Sequence, residues 1–196
     1  MGKTSIVLTG VGGQGVITAT NILGKAAVDA DMQVYASEVH GMAQRGGSVY
    51  CTVRIGDVSS PLVASGTADA IISTEPVEAL RYIQYANKKT FVVTDSNPVV
   101  PFTVAVGGET YPAIQDVYDE ISSLAQLTVI DAYGIAKKAG AVITKNIVLL
   151  GALAATGVLP FKSDVLLDTI VRNVPKKYQS VNTEAFQGGM QAFLKE

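Results

Sequence analysis

The sequence predicts an α/β fold, a Rossmann-like doubly wound and largely parallel sheet with helices on both faces. Two observations predict it. A β-branched run at the N-terminus ends in a glycine-rich turn that passes into an amphipathic helix. Short apolar runs then recur at 70–73, 90–94 and 127–131, each separated from the next by a helical pattern. Strands that alternate with helices in this way give parallel sheets covered on both sides.

The first strand is expected over Thr4–Thr9, leading to Gly10-Val11-Gly12-Gly13-Gln14-Gly15. From Val16 to Ala30 apolar residues (Ile17, Ala19, Ile22, Leu23, Ala26, Ala27) return at helical spacing, and a second strand follows over Gln33–Ser37. The first 37 residues therefore read as one βαβ unit. After a loop at Glu38–Gly47, the segment SVYCTVRIG alternates Val49, Cys51, Val53 and Ile55 with Tyr50, Thr52 and Arg54, the period of a half-buried strand turned by Gly56-Asp57. Buried strands at Ala70–Ser73 and Thr90–Thr94 flank a helix near Pro76–Ala86, with proline in its first turn. Ser96–Pro112 reads as irregular or short hairpin structure. A helix at Ala113–Ala125 and a strand at Leu127–Asp131 follow, then helices at Tyr133–Ala139, Asn146–Thr156, Ser163–Val174 and Thr183–Leu194. The Asn146–Thr156 helix is apolar nearly all round, as a buried or subunit-contacting helix is. No repeat or linker interrupts the 196 residues, so one domain spanning 1–196 is expected.

Composition narrows the function. The chain is 48% hydrophobic and 16% charged, and its net charge of -2 supplies no positive field for phosphate backbones, so nucleic acid is not an expected partner. So little polar material suggests that one face is covered by another subunit. The apolar run near the N-terminus is too short to span a bilayer, and no signal-peptide pattern precedes it. Cys51 is the only cysteine. It can form no internal disulfide and cannot supply the thiolates of an iron–sulfur cluster, and a reducing, cytoplasmic setting is expected.

The residues that could carry chemistry lie in two places. Gly10, Gly12 and Gly15 satisfy G-x-G-x-x-G between strand and helix, a turn whose free N–H groups and helix dipole suit an anion. Gly13 and Gln14 belong to the same turn. It can equally be a tight packing turn that holds no ligand. The second place is Glu38-Val39-His40-Gly41-Met42-Ala43-Gln44-Arg45-Gly46-Gly47, which gathers the only histidine with a carboxylate, an amide, a guanidinium and glycines. Arg45 offers paired donors for a carboxylate or pyrophosphate. Glu38, His40, Gln44 and Arg45 are thus the candidate catalytic residues, with Gly46 and Gly47 beside the glycine turn as candidate binding positions. For His40 and Arg45 a structural role at an interface is the competing reading. Glu38 is also the only acid near the place where a dinucleotide fold holds the ribose, which keeps a self-sufficient NAD(P)-dependent dehydrogenase open. Val16 stands where a Walker lysine would, and no G-x-S-x-G elbow occurs. No metal site is expected from one His and one Cys. Cys51 reads as a packed core thiol, and Asp95 and Asp131 as caps of the helices or turns that follow them.

The runs TGVGGQGVITATNILGKAA, SEVHGMAQRGGSVYCTVRIG, SPLVASGTADAIISTEPVEALR and NIVLLGALAATG together resemble the gamma-type domain of 2-oxoacid:ferredoxin oxidoreductases, in that family's order along most of the chain. The lead-in SEVHGMAQRGG is most similar to the beta subunit of the indolepyruvate-type branch. The resemblance implies an enzyme that decarboxylates a 2-oxoacid to an acyl-CoA, with ferredoxin as electron acceptor. It implies that thiamine diphosphate, Mg2+ and 4Fe-4S clusters sit on a large partner subunit, with coenzyme A near the interface. This chain would then be the non-redox subunit, inactive by itself. A non-catalytic binding module of the same fold is the other alternative.

Overall fold

A computed structural model describes residues 2–41, 45–100, 104, 107 and 110–195. Six strands form one sheet in the order β2-β3-β1-β4-β5-β6. They are β1 (Lys3–Val11), β2 (Val34–His40), β3 (Ser48–Gly56), β4 (Ala70–Ser73), β5 (Phe91–Asp95) and β6 (Gln126–Ile130). β1, β4, β5 and β6 run parallel, whereas β3 is antiparallel to both of its neighbours, β1 and β2. Seven helices complete the described fold: α1 (Val16–Asp29), α2 (Pro76–Arg81), α3 (Ile114–Leu124), α4 (Ala132–Ala139), α5 (Lys145–Ala155), α6 (Ser163–Arg172) and α7 (Gln179–Phe193). Helices cover both faces, as the alternation of patterns predicts.

Alternation decides which residues meet which layer. Ile6, Leu8, Cys51, Val53 and Ile55 point to the face packed by α1, α5, α6 and α7, while Val7, Ile71 and Val92 point to the face packed by α2 and α3. Helix α5 is wholly internal from Asn146 to Leu153. It lies against α7 at glycines: a side chain on Gly151 would strike the Phe186 carbonyl, and one on Gly189 the Val148 carbonyl. This helix is therefore covered by its own chain, and the alternative of a subunit contact does not apply to it.

Three sequence expectations change. The loop expected at Glu38–Gly47 begins three residues later, because Glu38, Val39 and His40 continue β2 and pair with Cys51, Tyr50 and Val49. The βαβ unit is not a pair of neighbouring strands, since β3 inserts between β1 and β2. The helix expected over Pro76–Ala86 stops at Arg81 and continues as a 3-10 turn over Ile83–Tyr85. Elsewhere boundaries move by a few residues, most at the start of α7. Of the irregular segment 96–112, residues 101–103, 105, 106, 108 and 109 lie outside the described residues, as does Gln44. No helix among the described residues is long and apolar enough to cross a membrane.

Candidate functional site

The parallel strands β1, β4 and β5 end on one side of the sheet, and a cleft of about 1450 Å³ opens there. Its floor is the glycine turn, and its walls come from the start of α1, Asn97-Pro98-Val99, the start of α5 and the segment Asn173–Tyr178. A cleft at the carboxyl ends of parallel strands is where open α/β sheets bind ligands.

The turn is fastened from three sides. Gly12 N–H donates to the Gly47 carbonyl at 2.8 Å, and Gly46 N–H returns a bond to the Gly12 carbonyl at 3.2 Å. The two glycine clusters singled out in the sequence therefore zip together. Gln14 closes the turn on itself: its N–H reaches the Val11 carbonyl, while its Oε1 accepts from Val11 N–H and from the Thr74 hydroxyl. On the far side Asn146 Nδ2 donates to the Gly15 carbonyl at 3.1 Å. Gly15 is the N-cap of α1 with φ 79°, and a methyl group there would stand 2.7 Å from Asn146 Nδ2. Only glycine meets both demands without strain. No side chain caps α1, so its first N–H groups, at the positive end of the helix dipole, face the cleft.

Beneath the turn lies a charge pair. Lys145, the first residue of α5, places Nζ 2.9 Å from Asp95 Oδ2 and donates to the Thr74 carbonyl at 3.0 Å. Asp95 is fully buried. Its Oδ1 accepts from Ala132 N–H at 3.0 Å and from Asn97 at 3.1 Å, while the contact at Oδ2 is an ion pair without an aligned hydrogen bond. Asp131 caps α4 through Gly134 N–H at 2.8 Å and shares Asn97 with Asp95. Both aspartates thus serve the start of α4, and Asp95 also holds the lysine.

Glu75 forms a second buried centre next to the strand ends. It accepts from Glu78 N–H at 2.9 Å, from Val99 N–H at 3.4 Å and from the Tyr111 hydroxyl. Burial and this carboxylate push the Tyr111 hydroxyl far above its ordinary pKa, and burial with the charges of Asp95 and Glu75 raises Tyr118. Burial likewise raises Cys51, which lies wholly in the core.

The other candidates divide. His40 lines the cleft, with Nδ1 3.1 Å from the Gly41 carbonyl. Arg45 is exposed and passes over the turn, its Cγ 3.9 Å from where a side chain on Gly13 would begin. Gly10 is the penultimate residue of β1, against Thr74. Gln44 lies outside the described residues. Glu38 does not line the cleft: it lies on β2 two residues before His40, which does, and β3 stands between it and β1. A dinucleotide fold takes its ribose-binding acid from the strand next to β1, and here that neighbour is β3.

Sequence reasoning passed over Thr74, Lys145 and Asn146. One signal was present for Lys145, since a cation in the first turn of a helix opposes the dipole and calls for a compensating anion.

A family model described as pyruvate ferredoxin/flavodoxin oxidoreductase matches residues 5–192. The chain is similar to a protein of Pyrococcus horikoshii named indolepyruvate oxidoreductase subunit IorB, 44% identical over 98% of this chain and 96% of that one. Among solved structures it resembles the gamma subunit of keto/oxoacid ferredoxin oxidoreductase from Geobacter sulfurreducens, with a TM-score of 0.72 and 26% identity over 98% of this chain and 99% of that one. The fold also recurs in 2-oxoglutarate:ferredoxin oxidoreductase from Magnetococcus marinus, with a TM-score of 0.75 and 21% identity, where all of this chain matches 32% of the larger one.

Proposed function

The chain belongs to the pyruvate ferredoxin/flavodoxin oxidoreductase family, and from that premise we propose that it is the small, non-redox subunit of an indolepyruvate-type 2-oxoacid:ferredoxin oxidoreductase. The observation that carries the reading is the 44% identity to an indolepyruvate oxidoreductase subunit along nearly the whole of both chains. The match over 5–192 also supports treating the chain as one gamma-type domain.

The reaction converts an arylpyruvate and coenzyme A to an acyl-CoA and carbon dioxide, with two electrons leaving to ferredoxin. The residues of this chain do not fit an iron–sulfur cluster. Its lone thiol is enclosed in the core, and no group of three or more His, Cys, Asp or Glu among the described residues is arranged to hold a metal. We therefore assign thiamine diphosphate, Mg2+ and the clusters to a large partner subunit, which supplies the decarboxylation and electron transfer.

The role of this chain in the reading is to bind and to shape. The free N–H groups at the start of α1 suit a phosphate of coenzyme A, and the cleft is wide enough for a ligand longer than a single anion. Arg45, exposed at the lip, is suited to a carboxylate or pyrophosphate brought by the partner side.

Co-expression with the candidate large subunit tests the proposal. The complex should reduce ferredoxin with indolepyruvate and coenzyme A, neither chain alone should do so, and Arg45→Ala should lower kcat without loss of assembly. Reduction of a nicotinamide by the isolated chain at enzymatic speed, or a complex inert toward every 2-oxoacid, would refute it.

A further inference from the structure

Strand β2 is one edge of the sheet, and the hydrogen-bond parity of the sheet fixes which of its residues face outward. Asp69 N–H bonds the Ser5 carbonyl and Thr74 N–H the Thr9 carbonyl, so the odd residues of β1 bond toward β4 and the even ones toward β3. Gly56 N–H bonds the Gln33 carbonyl, so the even residues of β3 turn to β2. In the register Val34↔Ile55 to His40↔Val49, this leaves the N–H and C=O groups of Val34, Ala36, Glu38 and His40 pointing away from the sheet. Among the described residues no element pairs with them. The edge holds no proline, lysine or bulge of the kind that shields exposed strands. Two of its large apolar side chains, Tyr35 and Val39, are 37% and 45% exposed.

The sequence of this edge, Val34-Tyr35-Ala36-Ser37-Glu38-Val39-His40, complements itself when reversed about Ser37. An antiparallel ladder between two copies must pair outward residues with outward residues, so a twofold axis passes through one residue position. An axis at Glu38 would set two carboxylates face to face. An axis at Ala36 would set Tyr35 against Ser37 and Glu38 against Val34. An axis at Ser37 sets Tyr35 against Val39 twice, an aromatic against a β-branched side chain at the close, non-hydrogen-bonded positions that favour such pairs. The same axis sets Glu38 of the second copy opposite Ala36, on the face turned to α1. There a groove lined by Gly24, Val28, Val34 and Ala36 also carries Lys25, a cation for that carboxylate, beside Arg172, which is already paired with Asp29 at 2.6 Å.

We infer that β2 is a homotypic docking edge: two copies of this chain join through antiparallel β2–β2 pairing centred on Ser37, which makes one continuous sheet across the dimer. This goes beyond the proposed reaction and does not rest on it.

Ser37→Cys provides the test, because the axis brings the two introduced thiols opposite each other at a Cα separation of about 4.5 Å, within disulfide reach. Cys51 is buried and does not compete. Under mild oxidation Ser37→Cys should cross-link to a dimer, both as the isolated full chain and in the complex with its large subunit. Ala36→Cys alone should not, since its twin lies diagonally across the ladder, while a mixture of Ala36→Cys and Glu38→Cys should. Light scattering should give about twice 20.4 kDa for the unmodified chain. It should give a single-chain mass for Ala36→Pro, which removes an outward N–H and no bond within the chain. Failure of Ser37→Cys to cross-link in both settings overturns the inference, whether the chain is then monomeric, dimeric by another face, or covered at β2 by the large subunit.

Discussion

Replacing Lys145 by methionine isolates the ion pair beneath the glycine turn. The Nζ–Oδ2 separation of 2.9 Å gives a gross attraction of about 6 kcal/mol at an effective dielectric of about 20. Most of it offsets the cost of taking Asp95, which is fully buried, out of water. Without the ammonium that cost stands unopposed at Oδ2, while Oδ1 keeps Ala132 N–H and Asn97. The expected loss is about 3–5 kcal/mol. For a chain of this length that lowers Tm by roughly 6–20 °C, at about 2–4 °C per kcal/mol. The pair is asymmetric: the Lys145 side chain is 12% exposed and can turn its charge into the cleft, so Asp95→Asn should cost less. The double variant should recover part of the loss. Urea and thermal unfolding followed by circular dichroism of all four proteins form the cycle. A Lys145→Met protein within about 1 kcal/mol of wild type, or a double variant whose loss equals the sum of the singles, would refute the reasoning.

Gly15→Ala should lower stability by about 1–2 kcal/mol for the left-handed backbone alone, and more if Asn146 is displaced; a chemical-denaturation midpoint reads it. Tyr111→Phe leaves the buried Glu75 one donor short and should cost about 1–3 kcal/mol in the same assay. Cys51 is held protonated by burial, so its folded pKa lies above that of the unfolded chain, near 8.5. Its contribution is therefore complete below about pH 8.5 and is lost as pH rises through the folded pKa. Unfolding midpoints measured from pH 7 to pH 10 should decline on the alkaline side, and Cys51→Ala should flatten that decline.

What the sequence made legible was local. The alternation in SVYCTVRIG, the turn between β1 and α1 and the apolar runs at 70–73 and 127–131 each announce an element within a few residues, because burial on one face leaves a period in the sequence itself. Partner choice leaves no such period. Nothing in Ser48–Gly56 states that it pairs with β1 on one side and β2 on the other, and that insertion is what takes Glu38 off the strand next to β1. The candidate site divides along the same line. Gly12 and Gly47 were both named as glycine positions, but the bond between them depends on the β1–β3 pairing. Lys145 and Asp95 are separated by α3, β6 and α4 and meet only when α5 docks against the strand ends. The 3-10 turn after Arg81 was hidden for a different reason, since Tyr82 and Tyr85 fit a helical pattern and yet stack on Tyr50 of β3, with ring centroids 4.5 and 6.3 Å away.

The Asn146–Gly15 hydrogen bond has a consequence in time. The turn at residues 10–15 leaves the ribosome first, and the amide that steadies it follows about 130 positions later. At elongation rates of about 5–20 residues per second the two are separated by roughly 7–26 s of synthesis. During that interval the nascent N-terminal segment carries its glycine loop without the C-terminal half that braces it. The braced geometry of the turn is thus acquired only once α5 has been synthesised, and a message truncated ahead of α5 would encode the motif without its brace.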